Sequence, residues 1–494
     1  MRAKTKILAI SSSVAMMALG SSMCAFAAQG GWVQDNGIWY YKDAQGENVT
    51  DTWEKSGDGW FYVGSDGAMR TDAWVDDTHY VDSNGRMVTN QWIKVDPETD
   101  GAPSSDGGWY FFDGSGKTVV DGWKTINGKK YYFDSDGTMK YGWFNDGDAT
   151  YYLGNEDEGW TANGWLCLDF DKDNLPEEGD VSDIATGGGD TSKWFYFQSN
   201  GKAVKASGSS YTSKTINGSK YYFDENGVML TGWVAMGSNS DADSSDPTGI
   251  SSFKYFGGDD EGQMAKGWRY LTDHPEDSDD SELVHPATSS NLDNYGNADG
   301  SWYYFDNNGV PKHLDASATN LSQATSRING QSYFFDEYGR MQSGLIGFEF
   351  ADGTTGSAYF GSSDSDGKMK TDKTNGVVED NGDKSTFFFE TAGKNKGAGF
   401  SGDKKGYLYY NGKLVKADKG TTTQVFEVND KFYLVNESGK IQNSNKAYKS
   451  DGDFAYEYSN GTIYQIDSNK QRLGEVTSGE ALPEISYQNV YTLQ

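Results

Sequence analysis

The chain has 494 residues, and its 72 Phe, Trp and Tyr outnumber its 57 Leu, Ile and Val, which excludes an ordinary layered α/β or helical domain built on branched aliphatics. Leu, Ile, Val and Phe together number 82, a share that with a formal charge of −31 would ordinarily mean disorder, yet disordered chains are poor in aromatics. With 63 Gly and 8 Pro, the expectation is a folded, turn-rich chain held together by rings.

Residues 1–27 read as a signal peptide. Arg2, Lys4 and Lys6 precede an apolar stretch from Ile7 to Leu19, and Ala25-Phe26-Ala27 supplies the small-x-small site, so cleavage is expected after Ala27. Three positive charges leave with this segment, and the remainder carries 39 Lys and Arg against 73 Asp and Glu, or −34. Met23 stands before Cys24 where a lipoprotein signal needs a small residue, and Cys167 then remains alone, so no intramolecular disulfide is expected. No other stretch approaches the ~20 apolar residues of a membrane span, and Val490-Tyr491-Thr492-Leu493-Gln494 is no sorting signal. The expected location is extracellular, without a visible membrane or covalent anchor.

From residue 31 onward the chain repeats itself. Trp32, Trp53 and Trp74 are spaced 21 apart, and in the same register come Trp39-Tyr40-Tyr41, Trp60-Phe61-Tyr62, Tyr80, Trp109-Tyr110-Phe111-Phe112, Tyr131-Tyr132-Phe133, Trp194-Phe195-Tyr196-Phe197, Tyr221-Tyr222-Phe223, Trp302-Tyr303-Tyr304-Phe305 and Tyr333-Phe334-Phe335. Turns follow, as in Asp43 to Gly46, Asp134 to Gly137 and Asp336 to Gly339. Seven of the eight methionines after residue 27 (Met69, Met87, Met139, Met229, Met264, Met341 and Met369) stand two residues after a Gly, which fixes the register independently. Asn36-Gly37, Asn127-Gly128, Asn217-Gly218 and Asn329-Gly330 between aromatic or β-branched runs are type I′ hairpin signals. A lone hairpin is marginal, but hairpins stacked at a constant interval bury their rings on one another. The expected fold is all-β, a solenoid of stacked β-hairpin repeats of about 20 residues, with a column of aromatics as its core.

Acidic insertions interrupt the array at about 96–106, 166–193, 236–252 and 269–300, and the stretch from Thr272 to Glu282 holds six acids and no base. Beyond Trp302 there is no Trp, and residues 390–450 hold 11 Lys against 6 acids. The expected organisation is therefore a signal peptide (1–27), a Trp-rich repeat array (28–345), degenerate Trp-poor repeats (346–460) and a C-terminal cap (461–494).

The run Gly122-Trp123-Lys124-Thr125-Ile126-Asn127-Gly128-Lys129-Lys130-Tyr131-Tyr132-Phe133-Asp134-Ser135-Asp136-Gly137-Thr138-Met139, closed by Gly142-Trp143, strongly resembles the cell-wall-binding repeat superfamily of Gram-positive bacteria, which includes choline-binding and glucan-binding repeats. Similar runs cover about 31–345 and, more weakly, extend to about 460. The resemblance implies ligands held between successive hairpins by the Trp of Gly-Trp, the first ring of the triplet, an aromatic of the next hairpin and often a Met. Residue by residue it points to Trp32 and Trp39 with Tyr62, and to Trp53 and Trp60 with Tyr80 and Met69. Trp74, Trp92, Trp109, Trp123 and Trp143 are further candidates. Such rings suit a quaternary ammonium, and the negative charge attracts one. Lys130, Thr150, Lys220 and Ser332 stand where the first triplet ring is expected. The fuller pattern is accordingly expected in the first three units only, and the units with these replacements look more like glucan-binding or toxin-type repeats, in which rings stack on sugar faces.

Asp169, Asp171, Asp173 and Asp180 have calcium-loop spacing, but Asn174 replaces the obligatory Gly and Pro176 intrudes. No metal or other cofactor is expected, with Asp169, Asp171 and Asp173 the weak candidates. The four His are scattered and the non-repeat stretches are too short for a catalytic fold. The leading expectation is a secreted, non-catalytic protein binding cell-wall polymers, choline-bearing teichoic acid or polysaccharide, through many weak aromatic sites. Nucleic acid is not an expected partner. The competing readings are a surface adhesin or spacer whose rings are core and whose insertions meet a host or neighbouring-cell ligand, and thirdly a cell-wall hydrolase.

Overall fold

A computed structural model describes residues 30–236, 246, 248–272, 300–363 and 365–494. Residues 1–27, with the expected signal peptide, lie outside them, as do most of the insertion at 269–300 and much of that at 236–252. The chain divides into two compact units, one comprising 1–163, 174–182 and 199–202, the other 164–173, 183–198 and 203–494.

In the first unit, antiparallel two-stranded hairpins follow one another: Gly31–Asp35 with Ile38–Lys42, Thr52–Ser56 with Gly59–Val63, Ala73–Asp76 with His79–Val81, Gln91–Val95 with Gly108–Phe112, Gly122–Ile126 with Lys129–Phe133, and Trp143–Asp146 with Ala149–Tyr152. The tight turns need two consecutive residues at positive φ, and Asn127 (50°) with Gly128 (79°) supplies them. After several triplets the Asp-x-x-Gly turn closes through the side chain of its Asp. Asp43, for example, accepts from the amides of Gln45 (2.8 Å) and Glu47 (2.9 Å), and the Gly46 amide donates to its carbonyl. The chain then bends back as a single bridge such as Phe133 to Met139.

The second unit begins the same way, with Gly164–Asp169 and Ser192–Phe197, Thr212–Ile216 and Ser219–Phe223, Trp233–Ala235 and Phe253–Tyr255, Gly267–Leu271 and Ser301–Phe305, and Thr325–Ile328 and Gln331–Phe334. Beyond them the sheets widen. Leu345–Phe350 pairs with Thr355–Tyr359 and, in parallel, with Asn489–Leu493; a five-stranded sheet spans Asp372 to Leu414, and a four-stranded one spans Lys446 to Glu475. Only Thr423–Val428 with Lys431–Asn436 remains an isolated hairpin in this part. The segment expected as a cap thus contributes its final strand to a sheet begun some 140 residues earlier in sequence. Leu, Ile and Val replace Trp in these cores, with Leu345, Ile346, Val377, Leu408, Val415 and Val435 fully enclosed.

Within the repeats the core is aromatic. The last Phe of each triplet is sealed, as at Phe112, Phe133, Phe197, Phe223 and Phe305. The first-strand Trp of one hairpin stacks on the sealed Phe of the next: Trp92 on Phe133 at 5.6 Å, Trp165 on Phe223 at 5.9 Å and Trp268 on Phe335 at 5.9 Å. Pairs of this kind are worth about 0.5–1.5 kcal/mol beyond their buried area.

One half-buried phenol makes the second unit's stability fall at alkaline pH. Burial, with Tyr410 and the Glu379 carboxylate nearby, pushes the Tyr487 hydroxyl from 10.0 up to about 12. The folded state then favours the neutral phenol, so this contribution to stability is complete below pH 10.0 and lost as pH rises towards about 12. Tyr487→Phe is expected to flatten the fall in urea midpoint across that window and to leave the neutral-pH midpoint nearly unchanged.

Candidate functional site

The hairpin junctions follow one rule that the backbone makes explicit. The amide of each register methionine donates to the carbonyl of the first triplet residue of the preceding hairpin: Met69 to Trp39, Met87 to Trp60, Met139 to Trp109, Met229 to Trp194 and Met341 to Trp302, all at 2.8–2.9 Å. At these five junctions the bond draws four groups together: two Trp from one hairpin, then the second triplet ring and the Met of the next. The five sets are Trp32, Trp39, Phe61, Met69; Trp53, Trp60, His79, Met87; Trp92, Trp109, Tyr131, Met139; Trp165, Trp194, Tyr221, Met229; and Trp268, Trp302, Tyr333, Met341.

The last three are near copies. Their two Trp rings meet edge to face at 6.5, 6.4 and 6.3 Å with interplanar angles of 84°, 86° and 83°. The Tyr of the following hairpin lies 4.8 Å from the inner Trp in every case. At the first of them Trp92, Trp109, Tyr131, Met139, Asp157 and Glu158 line a small open cleft. The inner Trp is wall and core at once, whereas the outer one stands on the rim.

Two of these cages carry a carboxylate delivered by a loop one hairpin further on. Trp109 Nε1 donates to Asp157 Oδ1 at 3.0 Å, and Trp194 Nε1 donates to Asp260 Oδ1 at 2.8 Å. Hydrogen bonds from Lys94 and Trp109 hold the Asp157 carboxyl below its usual range, and those from Trp194 and the Gly188 amide do the same for Asp260. Both are anions at neutral pH. Their loops, Gly154-Asn155-Glu156-Asp157-Glu158-Gly159 and Gly257-Gly258-Asp259-Asp260-Glu261-Gly262, end in a glycine that the cage needs: a Cβ on Gly159 or Gly262 would sit 2.2 or 2.1 Å from the sulfur of Met139 or Met229.

The structure redistributes the residues expected from the sequence. Trp32, Trp39, Trp53, Trp60, Met69, Trp92 and Trp109 stand at junctions, with Trp60 41% exposed. Met69 belongs to the Trp32–Trp39 junction, not to that of Trp53 and Trp60. Tyr62 and Tyr80 do not face the preceding hairpin. They lie opposite Trp53 and Trp74 of their own hairpins and pack on them at 5.2 and 5.7 Å, because alternation along a strand turns the third triplet ring away from the face of the second. Phe61 and His79 take the places expected of Tyr62 and Tyr80. Trp74 (8% exposed) and Trp143 (4%) are core, and Trp123 faces Lys130 rather than a second Trp.

The fuller pattern is not confined to the first three units, since the three most regular cages lie at 92–139, 165–229 and 268–341. Each has its two Trp on strands parted by an insertion, so sequence spacing hid the pairing; the methionine register was the signal that could have exposed it. Thr150 has no ring opposite comparable to these, and Lys220 and Ser332 receive the amides of Met264 and Met369 where Trp would stand.

Asp169, Asp171 and Asp173 do not converge; Asp171 accepts from the Asp173 amide at 2.9 Å. Among the described residues no group of three His, Cys, Asp or Glu could hold a metal ion, and no helix is long and apolar enough to cross a membrane. Cys167 is buried, and burial pushes its thiol up.

Comparison with known proteins finds repeat models along the chain. Models of the choline-binding repeat match residues 120–165, 212–242 and 68–98, and a model of a cell wall binding repeat matches 30–47, 51–69, 190–203 and 296–310. These matches support a choline- or glucan-binding, cell-wall-binding type of repeat over the matched segments, which make up about a third of the chain. Among curated relatives, it is 27% identical over 281 residues to glucosyltransferase-S of Streptococcus mutans and 24% identical over 247 residues to glucosyltransferase-S of Streptococcus downei. These alignments take in 50% and 47% of this chain and 16% of each relative, so the chain spans about one sixth of their length. Among solved structures it is similar to choline binding protein F of Streptococcus pneumoniae, seen in the presence of a peptidoglycan analogue (21% identity, 72% of this chain and 99% of that one, TM-score 0.36). It is also similar to the modular autolysin LytC of the same species in complex with a synthetic peptidoglycan ligand (20% identity, 65% and 55%, TM-score 0.35).

Proposed function

We propose that this protein is a secreted, non-catalytic wall-attachment protein that grips choline groups of envelope polymers in aromatic cages at its hairpin junctions. The observation that carries this reading is the threefold recurrence of the Trp–Trp–Tyr–Met cage, with an ionised carboxylate bonded to the rim Trp in two of the three. A trimethylammonium group presents a diffuse cation and an apolar surface, which suits ring faces and a thioether. Rings alone would stack equally well on a sugar, but the Asp260 carboxylate at its rim favours a cation, whereas Asp157 already pairs with the Lys94 ammonium at 2.8 Å. Export rests on the basic-then-apolar segment at 1–27. Several weak cages on one chain would act together on a polymer bearing many identical groups.

The test is elution. Protein bound to purified choline-bearing walls is expected to come off with free choline and to stay on with soluble glucan. Release by glucan alone would overturn the choline assignment, and hydrolysis of the wall material would overturn the non-catalytic one. The carboxylates give a finer check. Asp260→Asn removes one charge from one rim, so choline affinity at that junction is expected to fall by a few-fold, read by titration calorimetry.

A further inference from the structure

We propose that the junction following Trp123 is a cage already filled by the chain itself, with the Lys130 ammonium in the place of an external ligand. The register is that of the binding junctions: the Thr161 amide donates to the Lys130 carbonyl at 3.0 Å, as the methionine amides do to Trp39, Trp60, Trp109, Trp194 and Trp302. The other two walls are present. Trp123 and Tyr151 lie 4.6 Å apart at 50°, matching the inner Trp and following Tyr of the regular cages. In place of a rim Trp the chain puts a lysine, whose Nζ lies 3.9 Å from the Trp123 centroid and 5.5 Å from that of Tyr151. Both distances are within the ~6 Å reach of a cation–π contact.

A carboxylate is present as well, though on the other ring: the inner indole, Trp123 Nε1, donates to Asp146 Oδ2 at 2.8 Å, whereas Asp157 and Asp260 accept from the rim indoles of Trp109 and Trp194, and Thr161 stands in the place of the Met. Burial and the nearby Lys202 pull the Lys130 pKa down, and the Asp146 carboxylate opposes them. A lysine in this register does not by itself make such a site. Lys220 holds the same position, but Ser213 stands where Trp123 does, and its ammonium lies 5.0 Å over Tyr222 of its own hairpin. The rings of Trp123 and Tyr151 decide the matter. The junction is closed to choline while its neighbours are open, a consequence that rests on the choline reading, whereas occupancy by Lys130 does not.

The two are tested separately. In protein labelled with ¹³C-lysine, the Lys130 ε-methylene protons, assigned by their loss in Lys130→Arg, are expected upfield of the exposed lysines through the ring currents of Trp123 and Tyr151. A Lys130 signal among the exposed lysines would overturn the occupancy. Calorimetric titration with choline is then run on the wild type and on Lys130→Trp, with Lys130→Ala as a milder second variant. One additional equivalent bound by the variants is expected, and an unchanged stoichiometry would overturn the closed junction. If neither wild type nor variant takes up choline, the choline reading fails and with it the closure, while the resonance position still decides whether Lys130 sits in the rings.

Discussion

Replacing the rim tryptophans Trp39, Trp60, Trp109, Trp194 and Trp302 together by alanine is expected to abolish retention on choline-bearing walls while leaving the chain folded. Each loses about 2 kcal/mol of contact to a desolvated cation, about thirtyfold at its own junction, and the losses compound across sites that act on one polymer. The inner set behaves otherwise. Trp92, Trp165 and Trp268 stack on Phe133, Phe223 and Phe335, so truncating any of them opens a hole in the core, at a cost of about 3–5 kcal/mol. Wall retention and urea midpoints measured on both sets separate the roles. Retention surviving in the folded rim variant would make the rings packing only and would favour the adhesin or spacer.

A second large effect is expected at Asp336. Its carboxylate is buried and accepts from Arg340 Nε (2.9 Å), Gln342 Nε2 (3.1 Å) and the amides of Tyr338 and Arg340. Burial pushes its pKa up, and the Arg340 guanidinium and the hydrogen bonds oppose that shift. Asp336→Ala removes one partner of a buried ion pair and is expected to cost about 3–5 kcal/mol. Asp306 occupies the same place in the preceding repeat and accepts the same pair of turn amides, from Asn308 and Val310, without a buried arginine beside it. Asp306→Ala is accordingly expected to cost only about 1 kcal/mol. Equal urea midpoints for the two variants would show that the arginine pair adds nothing to the turn.

The period of the repeat, the Asn-Gly turns and the aromatic column could all be read directly from the sequence, because each depends on residues close together in the chain. The cages could be read only in part. Trp32 with Trp39 and Trp53 with Trp60 are joined by tight turns and were visible, but Trp165 with Trp194 and Trp268 with Trp302 pair across long insertions that local spacing does not cross. The choice between Tyr62 and Phe61 turned on a single residue of strand phase, which sets the face and which spacing alone does not reveal. The rim anions were hidden for a third reason: Asp157 and Asp260 belong to loops one hairpin beyond the cages they serve. The widening of the sheets after Leu345, closed by Asn489–Leu493, is non-local pairing with no short-range signature.

Because one wall of each cage comes from one hairpin and the opposite wall from the next, a bound cation acts as a removable rivet across a seam of the array. Prising two hairpins apart must empty the cage, and filling the cage must resist prising. At a hundredfold excess over its dissociation constant a ligand adds about 2.7 kcal/mol at each seam it fills, several times the worth of a single ring pair. The array should therefore be stiffest where it is in contact with its polymer and most compliant where it is not, and a pull along the chain should be resisted at the points of attachment first.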